Sequence, residues 1–199
     1  MRISVIGFKG GVGKTTTAIH LAAYLQKSAP TLLIDGDENR SASEWAARGL
    51  LPFKVEDERK AARTGSARDF EHIIIDTQAR PAAGELRELA EGSDLLVVPT
   101  TPDALSLSAL MLTVQGLEAI AGVTYKILLN IIPPPPNRDA EEAREQLRKL
   151  KLPVFKAGVR RFIAFQKAAL QGVPVYEVSD RRASEAWKDI ERVGRELLR

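Results

Sequence analysis

FKGGVGKTT, residues 8–16, is the stretch that decides the fold. It follows a short apolar run, residues 2–8 (RISVIGF), and leads into an apolar-periodic segment over residues 14–28. A buried strand, a glycine turn and a helix are therefore expected in that order. Gly10, Gly11 and Gly13 let backbone N–H groups turn inward without side-chain clash, so that they and Val12 can cradle phosphates. The helix that follows adds its positive amino end. Lys14 is placed to neutralise β- and γ-phosphates, Thr15 to ligate Mg2+, and Thr16 to add a phosphate hydrogen bond. ATP with Mg2+ is the ligand this arrangement predicts. The general pattern opens on glycine, and Phe8 stands there instead. Lys9, directly before the double glycine, marks the deviant form of the loop.

Outward from the loop, apolar runs alternate with helix-length segments. Residues 31–35 (TLLID), 72–76 (HIIID), 94–99 (DLLVVP) and 124–132 (TYKILLNII) read as further strands, with a short one at 153–155. Helices are expected from Ser41 through Trp45, with Ser41 and Glu44 as a capping box, from the cap Asp103 to about residue 120, over 139–149 and 162–171, and from about residue 179 onward. Residues 56–71 are charged and poor in large apolar groups, and read as a surface excursion. Strands apolar along most of their length and flanked by helices indicate an α/β fold: a mostly parallel twisted sheet covered on both faces. One P-loop ATPase domain over residues 1–199 is expected. Ligands in such sheets bind beyond the carboxyl ends of the strands, where Asp35, Asp37, Asp76 and Asn130 fall. Asp76 is suited to hold a magnesium-bound water, Asp35 to coordinate magnesium water, and Asp37 to orient an attacking water.

The chain has no cysteine and two histidines, His20 and His72, which excludes disulfides and thiolate metal sites. No apolar run approaches the ~20 residues that span a bilayer, and no signal-peptide pattern opens the chain. A cytoplasmic protein is the default expectation. Residues 1–143 carry 15 basic and 19 acidic side chains, residues 144–199 carry 14 and 7. A basic final quarter is the footprint of a nucleic-acid or anionic-membrane contact, and equally of solvated helix faces.

Together these residues resemble the ParA/MinD family of deviant Walker ATPases. KGGVGKTTT matches its phosphate loop with the signature lysine, IDGDENR its second-strand motif, IIIDTQARP its third, and VVPTTPDALSLSAL the switch-like segment after it. Glu38-Asn39 stand where the family usually has proline and glutamine. The resemblance implies an ATP-dependent sandwich homodimer in which Lys9 reaches the partner's phosphates. It further implies slow, partner-stimulated hydrolysis with Lys9, Lys14 and Asp37 as the catalytic set, and Asn130 reading the adenine edge. The first reading of function is a short partition ATPase, associated with the nucleoid, that binds DNA non-specifically and answers to a ParB-like centromere-binding protein. Lys156, Arg160, Arg161, Lys167, Arg181 and Arg182 are its expected DNA contacts. The second is a positioning ATPase for a protein cargo such as a microcompartment or receptor cluster, with a cargo adaptor as partner. A MinD-like membrane switch would need a free amphipathic helix at Trp187, Ile190, Gly194 and Leu197. A small-molecule kinase or amidoligase on the same loop is the remaining alternative. Arg80 reads as a surface arginine, and the four prolines at 133–136 as loop-shaping.

Overall fold

In a computed structural model that describes residues 1–198, six parallel strands form one sheet in the order β3-β2-β4-β1-β5-β6. These are β1 (Arg2–Val5), β2 (Thr31–Gly36), β3 (Lys54–Asp57), β4 (His72–Thr77), β5 (Leu95–Thr100) and β6 (Tyr125–Leu129). The helices are α1 (Lys14–Leu25), α2 (Ser41–Ala46), α3 (Glu58–Thr64), α4 (Ala83–Glu91), α5 (Ala104–Glu118), α6 (Asp139–Lys149), α7 (Ile163–Gln171) and α8 (Ala183–Leu197). One face of the sheet packs Ile3, Leu33 and Leu128 against Ile19, Trp45, Phe155, Trp187 and Val193. The other packs Ile6, Leu96 and Ile127 against Leu86, Leu110, Val114, Leu117 and Leu147. The expected two-faced parallel sheet is present.

The differences are at the edges. β3 (KVED) lies inside what reads from sequence partly as loop and partly as surface excursion. It is an edge strand whose buried position is Glu56, paired with Lys54 at 2.7 Å, so it carries no apolar signature. The expected strand at 153–155 is a single bridge, Val154 against Ile127. Asp103 caps α5 as expected, accepting from Ser106 N. The capping box at Ser41 does not form. Ser41 is already helical, the cap residue Arg40 adopts φ 53°, and Ser43 N is satisfied by Asp35 from the neighbouring strand.

α8 settles where its apolar stripe goes. Trp187, Ile190, Val193, Gly194 and Leu197 are buried, and a Cβ at Gly194 would stand 2.3 Å from the ring of Tyr24 on α1. That stripe docks on the body and leaves no free amphipathic helix among the described residues. No described helix is long and apolar enough to cross a membrane.

Candidate nucleotide site

The phosphate loop sits at the carboxyl end of central β1, between β4 and β5. Gly11 (φ 77°) and Gly13 (φ 85°) occupy the left-handed region, the conformation the loop requires of them. Gly13 is also the N-cap of α1, so N–H groups of the first turn face the loop without a side-chain cap. Two braces hold this geometry. Arg80, itself at φ 59°, donates through Nε to the Phe8 carbonyl (3.2 Å) and through its backbone N to that of Gly7 (3.3 Å). Asn130 holds the other side: Nδ2 donates to Val12 O (2.9 Å) and Thr17 Oγ1 (3.3 Å), while Oδ1 accepts from Ile131 N (2.9 Å). Arg80 is exposed, as its reading as a surface arginine expects, and also supports the loop. The Asn130 amide faces the loop. The reason is steric: a Cβ at Gly13 would lie 2.5 Å from Asn130 Nδ2, so the glycine lets the amide in.

Lys14 is buried, and burial lowers its pKa while Asp76 and Asp37 oppose that shift. Parallel register sets Asp35 beside Asp76, and Asp57 beside Asp35, at the carboxyl ends of β2, β4 and β3. Asp76 is fully buried and neither carboxylate oxygen has a hydrogen-bond partner. Burial raises its pKa to about 7, with Thr15 and Lys14 pulling down against Asp35 and Asp37. A buried carboxylate with unpartnered oxygens beside Thr15 and Lys14 suits a cation and its water shell, so the residues fit a magnesium–phosphate ligand.

Asp35, expected to coordinate magnesium water, is engaged by its neighbours. Its Oδ2 accepts from Ser43 N (2.7 Å) and Ser43 Oγ (2.6 Å), and its Oδ1 from Asp37 N (3.2 Å). It starts α2 and shapes the turn. Asp37 lies one residue past β2 and orders the next turn by accepting from Asn39 N and Nδ2, both at 2.9 Å. Thr16 offers its carbonyl to His20 Nδ1 (2.7 Å), and His20 Nε2 accepts from Val175 N (3.0 Å). Burial depresses His20 to about 4, so the neutral ring ties the loop's helix to the chain beyond α7. Lys9 lies in cis: Nζ donates to Ser106 Oγ (2.6 Å) and pairs with Asp103 (3.3 Å), which also accepts from Thr101.

Beside Gly13 and Thr16 opens a cavity of about 350 Å³ walled by Ile131, Phe162 and Phe165 and rimmed by Arg161 and Gln166. Its flat apolar walls next to the loop fit a nucleobase. These walls escaped the sequence reading, because Phe162 and Phe165 at a helix start look like ordinary core residues.

The expected DNA contacts divide. Arg160 makes a bidentate pair with buried Asp189 (Nε 2.8 Å, Nη2 2.9 Å), and Lys167 pairs with Asp180 at 2.7 Å. Arg182 pairs with Glu185 at 3.1 Å and lies over the Phe162 ring, as does Arg160. These three cations are each paired with an acid of the same chain. Lys156, Arg161 and Arg181 are exposed and form no ion pair among the described residues.

A glycine loop with its lysine at the end of the central strand, beside a buried strand-end aspartate, defines a P-loop nucleotide-binding protein of ParA/MinD type. Residues 3–175 match the family described as CobQ/CobB/MinD/ParA nucleotide binding domain, and the chain belongs to it. It is similar to "Maintenance of carboxysome distribution protein A" of Gloeobacter kilaueensis, 36% identical over 99% of this chain and 94% of that protein. It also resembles "Protein ParA" of Rhizobium radiobacter, 30% identical over 60% of this chain and 55% of the relative. Among solved structures, an ATP complex of Cyanothece McdA superposes with a TM-score of 0.78 at 16% identity, covering 98% of this chain and 95% of that one.

Proposed function

We propose that this protein is an ATP-driven positioning ATPase for a protein cargo, the reading placed second on sequence. One observation carries it: the similarity to a carboxysome-distribution protein runs end to end, whereas the similarity to the partition protein stops at 60% of the chain. On this reading plasmid or chromosome partition gives way as the first choice, and DNA remains the track. ATP is the substrate, held by Gly10–Lys14 backbone and side chain, Thr15 and Thr16, with the base against Phe162 and Phe165. Thr15 and Asp76 would hold magnesium with its water shell, which would supply positive charge against the phosphates. On this reading Asp37 orients the attacking water, and Lys14 stabilises charge on the transferred group.

Lys9 supplies the switch. Held on Asp103 and Ser106, it leaves that site to reach phosphates bound by a second copy, giving an ATP-dependent homodimer that hydrolysis dissolves. A cargo adaptor would stimulate that hydrolysis. Light scattering with ATP tests the reading. Wild type is expected to double in mass, and Lys9→Ala to bind ATP yet stay monomeric. A normal ATP dimer from Lys9→Ala would remove the switch.

A further inference from the structure

The walls Ile131, Phe162 and Phe165 can grip any flat ring, since every base has a π face. Selection among bases therefore falls to hydrogen bonds at the ring's edge. A fixed N–H opposite purine N1 would single out adenine, whose N1 accepts, against guanine, whose N1 carries its own hydrogen. A site built that way rejects the wrong base because a polar group is left unpaired. Around this cavity the backbone donors are engaged in the fold. Ile131 N donates to Asn130 Oδ1 (2.9 Å), Arg161 N to Ile132 O (2.8 Å), Arg160 N to Asp189 Oδ2 (3.1 Å) and Asn130 N to Thr100 O (2.8 Å). Asn130 Nδ2 is held by Val12 O and Thr17 Oγ1, and the Arg160 guanidinium by Asp189. Arg161 and Gln166 differ. Both line the cavity, both are exposed, and neither side chain makes a hydrogen bond among the described residues.

We propose that this site takes purine nucleoside triphosphates as a class, GTP alongside ATP, with Gln166 favouring adenine and Arg161 favouring guanine; the proposal rests on the nucleotide site of the reading above. The two side chains have complementary chemistry. A guanidinium only donates, and it pairs with guanine O6 and N7. A carboxamide both donates and accepts, and it pairs with adenine N6 and N7. The cavity thus carries one group suited to each purine, and both are long, exposed side chains that can move aside for the other's partner. Phosphate contacts at Gly10–Thr16 are the same for every nucleotide and add no preference. Ring size does: a pyrimidine covers less of Phe162 and Phe165 than a purine, so it forfeits part of the apolar contact.

Isothermal titration of the full chain with Mg2+ and the β,γ-imido analogues of ATP, GTP and CTP tests this. The GTP analogue is expected to bind within about tenfold of the ATP analogue, and the CTP analogue about fivefold or more weakly than either. Gln166→Leu should weaken the ATP analogue about threefold or more relative to the GTP analogue, and Arg161→Leu should move that ratio by a similar factor the other way. Each variant's binding of the nucleotide it still favours shows that it is folded. A GTP analogue more than about 100-fold weaker than the ATP analogue would overturn the purine class and leave the ATP site standing. A ratio that neither substitution moves would overturn the assignment of Gln166 and Arg161. Equal binding of the CTP analogue would also overturn the class, because the phosphate loop alone would then set affinity. Failure of wild type to bind any of the three would overturn the nucleotide site itself.

Discussion

The phosphate loop and the final quarter of the chain both concentrate charge, and they hold it in opposite ways. Around the loop, Lys14 and Asp76 are buried and Asp76 has no hydrogen-bond partner, so the charge there is left unbalanced. In the final quarter the buried acid, Asp189, takes two guanidinium nitrogens and a backbone N–H from Arg160. A buried ion completed by its own fold stabilises; one left incomplete invites a ligand. Residue type does not distinguish the two, since both regions pair aspartates with cations. Completion does, and it is set by tertiary contacts.

The largest effect should come from the unbalanced side. Lys14→Ala removes the cation aimed at the phosphates, and ATP affinity is expected to fall by at least ~100-fold, about 2.7 kcal/mol, by isothermal titration. Retained affinity would mean that the loop's N–H groups alone hold the nucleotide. Next in size is a pH effect at Asp76. Its folded pKa, about 7, lies above the unfolded value, so the native state binds the extra proton between roughly pH 4 and 7. This group's contribution is thus full in acid and lost as pH rises toward 7. Asp103 runs the other way: against partial desolvation, hydrogen bonds from Thr101, Ser106 and Lys9 hold this exposed carboxylate well below the usual range. Only the difference between wild type and Asp76→Asn isolates the Asp76 contribution. Across pH 5–7 the wild type should lose roughly 2 kcal/mol relative to the variant, in nucleotide-free thermal melts. Equal pH slopes would show that Asp76 is not strained.

On the balanced side, Arg160→Ala and Arg161→Ala should separate neighbours that look alike in sequence. Arg160→Ala strands Asp189. The loss should be about 2 kcal/mol, below the roughly 3–5 kcal/mol of a fully buried pair because the Arg160 side chain is 38% exposed. Arg161→Ala should stay within about 0.5 kcal/mol. Urea unfolding measures both, and equal losses would erase the distinction drawn between the two regions.

How much of this was legible follows from the same contrast. The loop, its helix and four of the flanking strands are local: glycine freedom, apolar runs and a lysine at fixed spacing determine them within a few residues. β3 was not legible, because an edge strand that buries Glu56 under Lys54 leaves no hydrophobic pattern to read. The nucleoside walls Phe162 and Phe165 lie some 150 residues from Gly13, and nothing nearby in sequence ties them to it. Asn130 and Asp35 were found as polar residues at strand ends, but their partners, Val12 and Ser43, come from other elements. The basic quarter was visible only as a sum. Which cations were spent on Asp180, Glu185 and Asp189 depended on how α7 and α8 pack.

Lys9 lies between the two kinds of region, a loop residue whose charge is completed in cis by an exposed partner. Its link to Asp103 competes with any reach toward a second protomer, so weakening it should favour the dimer. The gain is bounded. With side chains 36% and 51% exposed, each pair is worth at most about 1 kcal/mol, so the two pairs released per dimer are worth at most roughly thirtyfold in dimer affinity. Asp103→Asn keeps a hydrogen-bonding group at the start of α5 and removes the charge that holds Lys9. The ATP-dependent dimer is then expected to form at a few-fold lower protein concentration in analytical ultracentrifugation, with ATP affinity of the monomer unchanged. A weaker dimer would mean that Asp103 positions Lys9 for the crossing and does not restrain it, which would place the Asp103–Ser106 site inside the switch as one of its working parts.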